Sequence, residues 1–176
     1  MTIGFARAAA VALCAIVGVC TAAHAHVSLE TKQTKVGGTY KAVFGIPHGC
    51  EGQPTTEVSI EIPEGVIGVK PQPKPGWALS TVKTKLNPPL KDSHGRETTE
   101  VVSEIVWSGK LLDEHYEEFG IQMKLPDKPN TLIYFPTVQE CEKGVHRWIE
   151  IPEPGKKWGE YKSPAPVLKL GPKGEH

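Results

Sequence analysis

The run Phe119-Gly120-Ile121-Gln122-Met123-Lys124-Leu125 alternates apolar side chains with small or polar ones. A period of two is typical of a β-strand that buries one face and exposes the other. The same alternation is found at residues 40–46, 58–62, 77–83, 101–107, 132–138 and 145–151. Short strands without helical stretches between them favour an antiparallel β-sandwich. We therefore expect a single all-β domain of about seven to nine strands, with an immunoglobulin-like or cupredoxin-like architecture.

Glycine and proline interrupt the chain often, with 18 Gly and 16 Pro in 176 residues. Turn signals at residues 63–65, 74–76 and 142–144 separate the alternating runs. Proline cannot donate a ladder hydrogen bond, so the proline-rich joints at 71–75 and 88–89 predict edge or crossover segments.

The C-terminal part of the chain is rich in Pro, Gly and Lys. This composition predicts a tail over residues 153–176 that lies along the surface or is partly loose. The β-sandwich is accordingly expected to span residues 26–152.

The first 25 residues have the features of a cleavable secretory signal peptide. Arg7 supplies a positive charge, and the apolar run 8–19 is shorter than the roughly 20 residues that span a bilayer. Ala23-His24-Ala25 matches the small-x-small cleavage pattern, so cleavage after Ala25 would make His26 the new N-terminus. Cleavage after Ala23 and an uncleaved anchor helix are the alternatives. The pattern predicts a periplasmic or secreted protein whose mature part has no transmembrane helix.

The charges balance, with 20 basic and 20 acidic residues and no basic patch interleaved with aromatic residues. Nucleic acid is therefore not an expected partner. Cys50 and Cys141 remain after removal of the signal peptide, and in an oxidising compartment they are expected to form a disulfide. The alternative is a pair of thiolate metal ligands, although the two cysteines lack the close spacing of such sites.

An N-terminal histidine has two nitrogens that can bind one metal. The free amine of His26, with an ordinary pKa of about 8, and its ring Nδ1 close a six-membered chelate. Cu(II) favours such nitrogen pairs and heads the affinity order of divalent metals. Cleavage after Ala23 would instead expose His24-Ala25-His26, which also binds Cu(II). The other interpretation is that His26 merely follows the cleavage site.

Two further segments contain candidate ligands. In the run 145–151, Val145, Ile149 and Ile151 share one face, whereas His146, Trp148 and Glu150 share the other. Trp148 on this polar face is either an ordinary aromatic residue, exposed or covered by a loop, or one wall of a small site.

The run 113–119 is acidic and contains Glu114 and His115. It is either a solvated loop or a source of ligands. A disulfide between Cys50 and Cys141 would bring His48 near the start of the His146 strand, so His48, His115 and His146 are candidate secondary ligands.

The chain resembles the YcnI-like family of bacterial exported copper-binding proteins. The resemblance runs from His26-Val27-Ser28 to about Ile151 and includes Trp148 in a late strand. It is carried further by residues 54–58, 62–66, 73–77 and 114–119, in which Pro75-Gly76-Trp77 is the most specific motif.

The resemblance implies a β-sandwich with a mononuclear Cu(II) site built on a single-histidine brace. By position, His26 supplies the amine and ring nitrogen, Glu114 sits at or beside the metal, and Trp148 lies close to it. Glu117 and Glu118 are the alternatives to Glu114. The cysteine pair, His48 and His146 lie outside the simplest family pattern and leave open a further ligand or a second site.

The expected function is therefore that of a carrier or buffer in copper trafficking. Its expected partners are the copper ion and another exported copper chaperone or a membrane copper transporter. No phosphate-binding loop, nucleophile elbow or H-E-x-x-H motif is present, and we expect no enzymatic activity. The alternatives are a copper-dependent oxidative enzyme and a metal-free structural or adhesion sandwich.

Overall fold

The computed structural model describes residues 26–91 and 97–173, and these residues form β-strands with one short 3₁₀ helix at Trp158–Glu160. The predicted signal peptide and both of its cleavage positions fall in residues 1–25, outside the described part of the chain. The strands are β1 (Ser28–Leu29), β2 (Gln33–Thr34), β3 (Thr39–Ile46), β4 (Thr55–Glu61), β5 (Ile67–Pro71), β6 (Ala78–Lys91), β7 (Glu97–Leu111), β8 (Glu117–Lys124), β9 (Leu132–Tyr134), β10 (Thr137–Cys141), β11 (Val145–Trp148) and β12 (Val167–Leu170).

These strands form three sheets. The first has the order β1-β3-β8-β5, the second β11-β10-β4-β7-β6, and the third is the small sheet β2-β12-β9. The pairings are antiparallel except for β12 with β2, which is parallel. The predicted all-β sandwich in one domain is confirmed. The described residues contain more strands than the seven to nine expected, because strands of two to four residues are too short to show a period of two.

The two larger sheets pack face to face through aromatic side chains. Phe119 of β8 and Trp107 of β7 are fully buried, and their ring centroids lie 5.2 Å apart. Phe44 of β3 contacts Phe135 at 5.4 Å. Large aromatic rings bury much apolar area, so these contacts dominate the core that the alternating runs predict.

The proline-rich joints lie at sheet edges, as expected. Pro71 ends β5, the last strand of the first sheet, and Pro88 and Pro89 lie in β6, the last strand of the second. The chain therefore crosses from one sheet to the other between Pro71 and Ala78. Pro136 has a related effect, because it separates β9 from β10 within what the sequence predicts as one strand over 132–138.

In β11 and the residues that follow it, the apolar side chains face solvent, and the face that the sequence marks as polar points into the core at Trp148. Val145, Ile149 and Ile151 are 43%, 43% and 53% exposed, whereas Trp148 is 5% exposed and belongs to the core. Of the interpretations of Trp148, the ordinary exposed aromatic residue is wrong, because the apolar side chains of the run 145–151 are the exposed ones. The neighbouring strand β10 points the polar side chains of Thr137 and Gln139 inward, and the inward residues of β11 beside them are partly polar too.

The segment predicted as a loose tail is part of the sandwich. Strand β12 pairs with β2 and β9, and Ala165, Leu168 and Leu170 are fully buried. The predicted boundary at residue 152 is therefore too early, and the folded domain continues to Leu170. Because this segment is rich in Pro and Gly, the four-residue strand β12 was not predicted from the sequence.

The expected disulfide between Cys50 and Cys141 is present, with the two Cα atoms 6.0 Å apart and a sequence separation of 91. It links the loop that follows β3 to the end of β10. Within residues 26–91 and 97–173, no helix is long and apolar enough to cross a membrane.

Replacing both cysteines by alanine should lower the free energy of unfolding by about 2–5 kcal/mol, because the crosslink closes a long loop in the unfolded chain. Urea unfolding of the variant and of the oxidised parent checks this. An unchanged midpoint would contradict a stabilising role of the crosslink.

Candidate functional site

One end of the sandwich gathers most of the predicted site residues. Ser28 pairs with Gly45, and Ile46 pairs with Glu117. Three segments therefore meet at this end. They are residues 26–27 before β1, the loop 47–54 after β3 and the turn 112–116 before β8. The disulfide adds the end of β10 to the same group.

His26 lies between two indole rings. Its ring centroid is 5.3 Å from that of Trp148 and 5.2 Å from that of Trp158, both in edge-on geometry. Its Nε2 lies 3.2 Å from the carbonyl oxygen of Lys162. A carbonyl accepts hydrogen bonds only, so Nε2 carries the hydrogen and, in the neutral ring, Nδ1 carries the lone pair.

Trp158 and Lys162 were not predicted as site residues, because they lie in the segment assigned to a tail. Trp158 belongs to the 3₁₀ helix, and its Nε1 donates to the carbonyl oxygen of Ala165 at 2.7 Å. The signal that could have found them is the sequence Val167-Leu168-Lys169-Leu170, which is a short alternating run just after these residues.

Gln139 was also missed, although it connects several parts of the site. It is fully buried, and its Nε2 donates to the carbonyl oxygen of His48 at 2.6 Å and to Thr55 Oγ1 at 2.8 Å. Its Oε1 accepts from Trp148 Nε1 at 3.3 Å. In the described part of the chain, no buried side-chain nitrogen or oxygen lacks a partner. An inward glutamine on a strand gives no sequence signal by itself.

His48 and His146 lie side by side next to Trp148. Their ring centroids are 5.9 Å apart with the planes at 87°, and His146 is 5.3 Å from Trp148. The rings of His48, His146, Trp148, His26 and Trp158 therefore form one continuous row. The structure brings together four of the residues that the sequence singled out: His26, His48, His146 and Trp148.

Burial lowers the pKa of the His146 imidazole below its ordinary value, and the neighbouring His48 lowers it further. Lys162 acts in the same direction, whereas Glu51 and a hydrogen bond to the Gly49 backbone act to raise the pKa. Burial disfavours the cationic ring because the interior solvates charge poorly. At neutral pH His146 is accordingly the neutral form, which is the form that binds metals.

Glu114 and His115 lie in the turn between β7 and β8. The side chain of Glu114 is 79% exposed, and its Oε1 lies 3.8 Å from His115 Nε2. Asp113 of the same turn accepts a hydrogen bond from the Gly49 backbone nitrogen at 3.0 Å. A cavity of about 310 Å³ is bordered by Glu114 and Asp113 on one side and by Gly52 and Pro54 on the other.

Glu117 and Glu118, the alternatives to Glu114, have partners of their own. Glu117 forms an ion pair with Lys74 at 2.7 Å, and Glu118 accepts from the Tyr116 hydroxyl at 2.9 Å. Across residues 26–91 and 97–173, no three His, Cys, Asp or Glu side chains are grouped so that they could hold a metal. A histidine brace takes two nitrogens from one residue and does not require such a group.

Replacing Gln139 by leucine should lower the free energy of unfolding by about 2–5 kcal/mol, because the His48 carbonyl and the Trp148 N–H lose a buried partner. Urea unfolding measures the effect. Glu140→Gln is the matched control, since Glu140 is the next residue of β10 and is exposed. Equal midpoints for the two variants would show that the buried amide is dispensable.

The pKa of His146 should lie below 6.5 in the metal-free protein, as measured by NMR titration of its ring protons with a chelator present. Since the unfolded chain binds this proton more readily, the contribution of His146 to stability should fall as the pH drops below 6.5. In His48→Asn the pKa should rise only part of the way, because burial remains. A His146 pKa at or above the ordinary value would contradict the buried, neutral ring.

Comparison with known proteins agrees with this fold. The family described as "Domain of unknown function (DUF1775)" matches residues 26–170. The crystal structure of an uncharacterized protein from Nocardia farcinica with an immunoglobulin-like fold is similar, with a TM-score of 0.60, coverage of 83% of this chain and 98% of that chain, and 22% sequence identity. No curated protein matches the chain. The extent of the family match, together with the immunoglobulin-like sandwich, shows that the chain belongs to the DUF1775 family, which comprises the YcnI-like proteins.

Proposed function

We propose that this chain is an exported copper-binding protein that carries or buffers Cu(II) in the periplasm or outside the cell. Copper is its cargo, and His26 holds the metal through the amine and the ring Nδ1 once residues 1–25 are removed. The observation that carries the proposal is the setting of the His26 ring, between two indoles and with Nε2 on the Lys162 carbonyl.

The hydrogen bond to Lys162 supports a brace for a chemical reason. It holds the hydrogen on Nε2, so the lone pair is on Nδ1, the ring nitrogen closest to the residue's own backbone nitrogen. Metal-binding histidines usually donate their second N–H to a carbonyl or carboxylate, and this partner fixes the tautomer and the ring orientation. Lys162 has that role here.

Trp148 and Trp158 support the proposal in a second way. They flank the His26 ring and restrict its rotation, so less conformational freedom is lost when a metal binds. Trp148 itself is oriented by the Gln139 amide, so this wall has a fixed position.

Glu114 is proposed to supply negative charge to the bound Cu(II), which the resemblance to YcnI-like proteins implies. Its exposed carboxylate lies at the same end of the sandwich as His26, in a turn that contacts the loop 47–54. A carrier must release its metal, and an exposed carboxylate in a turn is a ligand that a partner protein can replace. The family match that begins at His26 agrees with a functional unit starting at this residue.

Blocking the amine tests the proposal directly. Isothermal titration of Cu(II) should show that the mature protein with free His26 loses at least about tenfold in affinity when one extra Met precedes His26, because the chelate ring then cannot close. A preceding residue leaves the fold and every other side chain intact. Equal affinity in the two proteins would overturn the brace.

Tryptophan fluorescence gives an independent readout of the same titration. Cu(II) at His26 should quench Trp148 and Trp158 strongly, since paramagnetic copper quenches at short range. Quenching should decrease in Trp148→Phe and in Trp158→Phe, whereas Trp107→Phe serves as a control because Trp107 lies in the core between β7 and β8. Quenching that survives both replacements would mean that copper binds elsewhere.

A further inference from the structure

Two further histidines, His48 and His146, lie along the aromatic row on the other side of Trp148 from His26. His48 is in the loop 47–54 and His146 is in β11, and both are partly buried. Their ring planes are nearly perpendicular, with centroids 5.9 Å apart. Neither residue contributes to the His26 brace.

Both rings lie beside the Gly49 backbone. His48 Nδ1 lies 2.6 Å from the carbonyl oxygen of Gly49. The Gly49 backbone also acts on the His146 ring, in the direction that raises its pKa. The two imidazole rings are therefore neighbours of one backbone carbonyl.

The separation of the rings matches a shared metal. A metal about 2.0 Å from one nitrogen of each ring holds the ring centroids roughly 5 to 6.4 Å apart, depending on the angle at the metal. The observed 5.9 Å lies inside this interval. Metal binding between the rings requires the 2.6 Å contact of His48 Nδ1 with the Gly49 oxygen to open, so that the nitrogen lone pair points at the metal and not at the carbonyl.

Both rings are held in place by β10. The disulfide joins Cys50, two residues after His48, to Cys141 at the end of this strand. Gln139 of β10 donates to the His48 carbonyl and pairs in register with His146. Ligands that are fixed before binding give tighter sites, because little ordering is left to be done.

The local charges are compatible with a divalent cation. Burial keeps His146 neutral and able to bind a metal at neutral pH, and the carboxylate of Glu51 is close enough to act on this ring. The positive charge of Lys162 disfavours a bound cation, but its effect on the pKa of His146 is the smallest among the neighbouring groups.

From this geometry we infer a second metal site, in which His48 and His146 bind a divalent first-row transition ion through one ring nitrogen each, with the Gly49 carbonyl as a third ligand. Water completes the shell. Imidazole and carbonyl ligands suit Zn(II), Ni(II) and Cu(II), and the order of affinities places Cu(II) highest. This site is independent of the His26 amine and of the proposed copper trafficking.

The test uses mature protein with one extra N-terminal Met, so that the His26 brace is blocked. Titration with Zn(II) and, separately, with Cu(II) should give one bound ion per chain. His48→Asn and His146→Asn should each weaken binding by at least about tenfold, since each removes a direct ligand. Arg147→Gln is the matched control, because Arg147 is adjacent to His146 in β11 and exposed. It should bind as the parent does.

NMR of the ring nitrogens identifies the ligands without relying on the variants. Addition of diamagnetic Zn(II) should shift one ring nitrogen of His48 and one of His146, and leave His115 unchanged. Shifts at His115, or unchanged affinity in both His→Asn variants, would overturn the site. Failure of the His26 brace is seen separately, as equal Cu(II) binding with and without the extra Met.

Discussion

The Gln139 side chain is a fully buried amide in the middle of β10, and three hydrogen bonds hold it there. A buried amide without partners costs several kcal/mol, so each of its partners must stay in place for the fold to persist. Those partners are the His48 carbonyl, the Thr55 hydroxyl and the Trp148 indole. One side chain thus fixes the loop after β3, the start of β4 and the end of β11 relative to one another.

This constraint explains why the aromatic row is ordered. Trp148 stands between the two candidate centres, with His26 on one side and His146 on the other. The two candidate centres differ in what each requires before it can bind a metal. His26 needs a processed N-terminus to become a chelate, whereas a site at His48 and His146 uses ring nitrogens alone and needs no processing. The indole between them is the shared wall, and its orientation is set by Gln139 and not by any metal.

The sequence predicts the sandwich well because most of its strands bury one face, and burial of one face enforces a period of two. Strands β3, β4 and β8 lie close to the predicted runs for this reason. The inward face of β11 was predicted wrongly, since its neighbour β10 points Thr137 and Gln139 inward and so accepts polar residues opposite them. His26 and Trp148 could be singled out from sequence, whereas for Trp158 and Lys162 the only signal is the short alternating run that follows them at residues 167–170. They are in a proline-rich segment whose folding depends on long-range pairing with β2 and β9.

The parallel pairing of β12 with β2 brings the C-terminal segment onto the first strands of the chain. As a result, His26 is held by a carbonyl that lies 136 residues later in sequence. In a chain synthesised from its N-terminus, His26 is made long before Trp158 and Lys162. The surroundings of His26 are therefore completed only when the rest of the domain has folded, which makes this residue a late-forming part of the structure although it stands at the beginning of the domain.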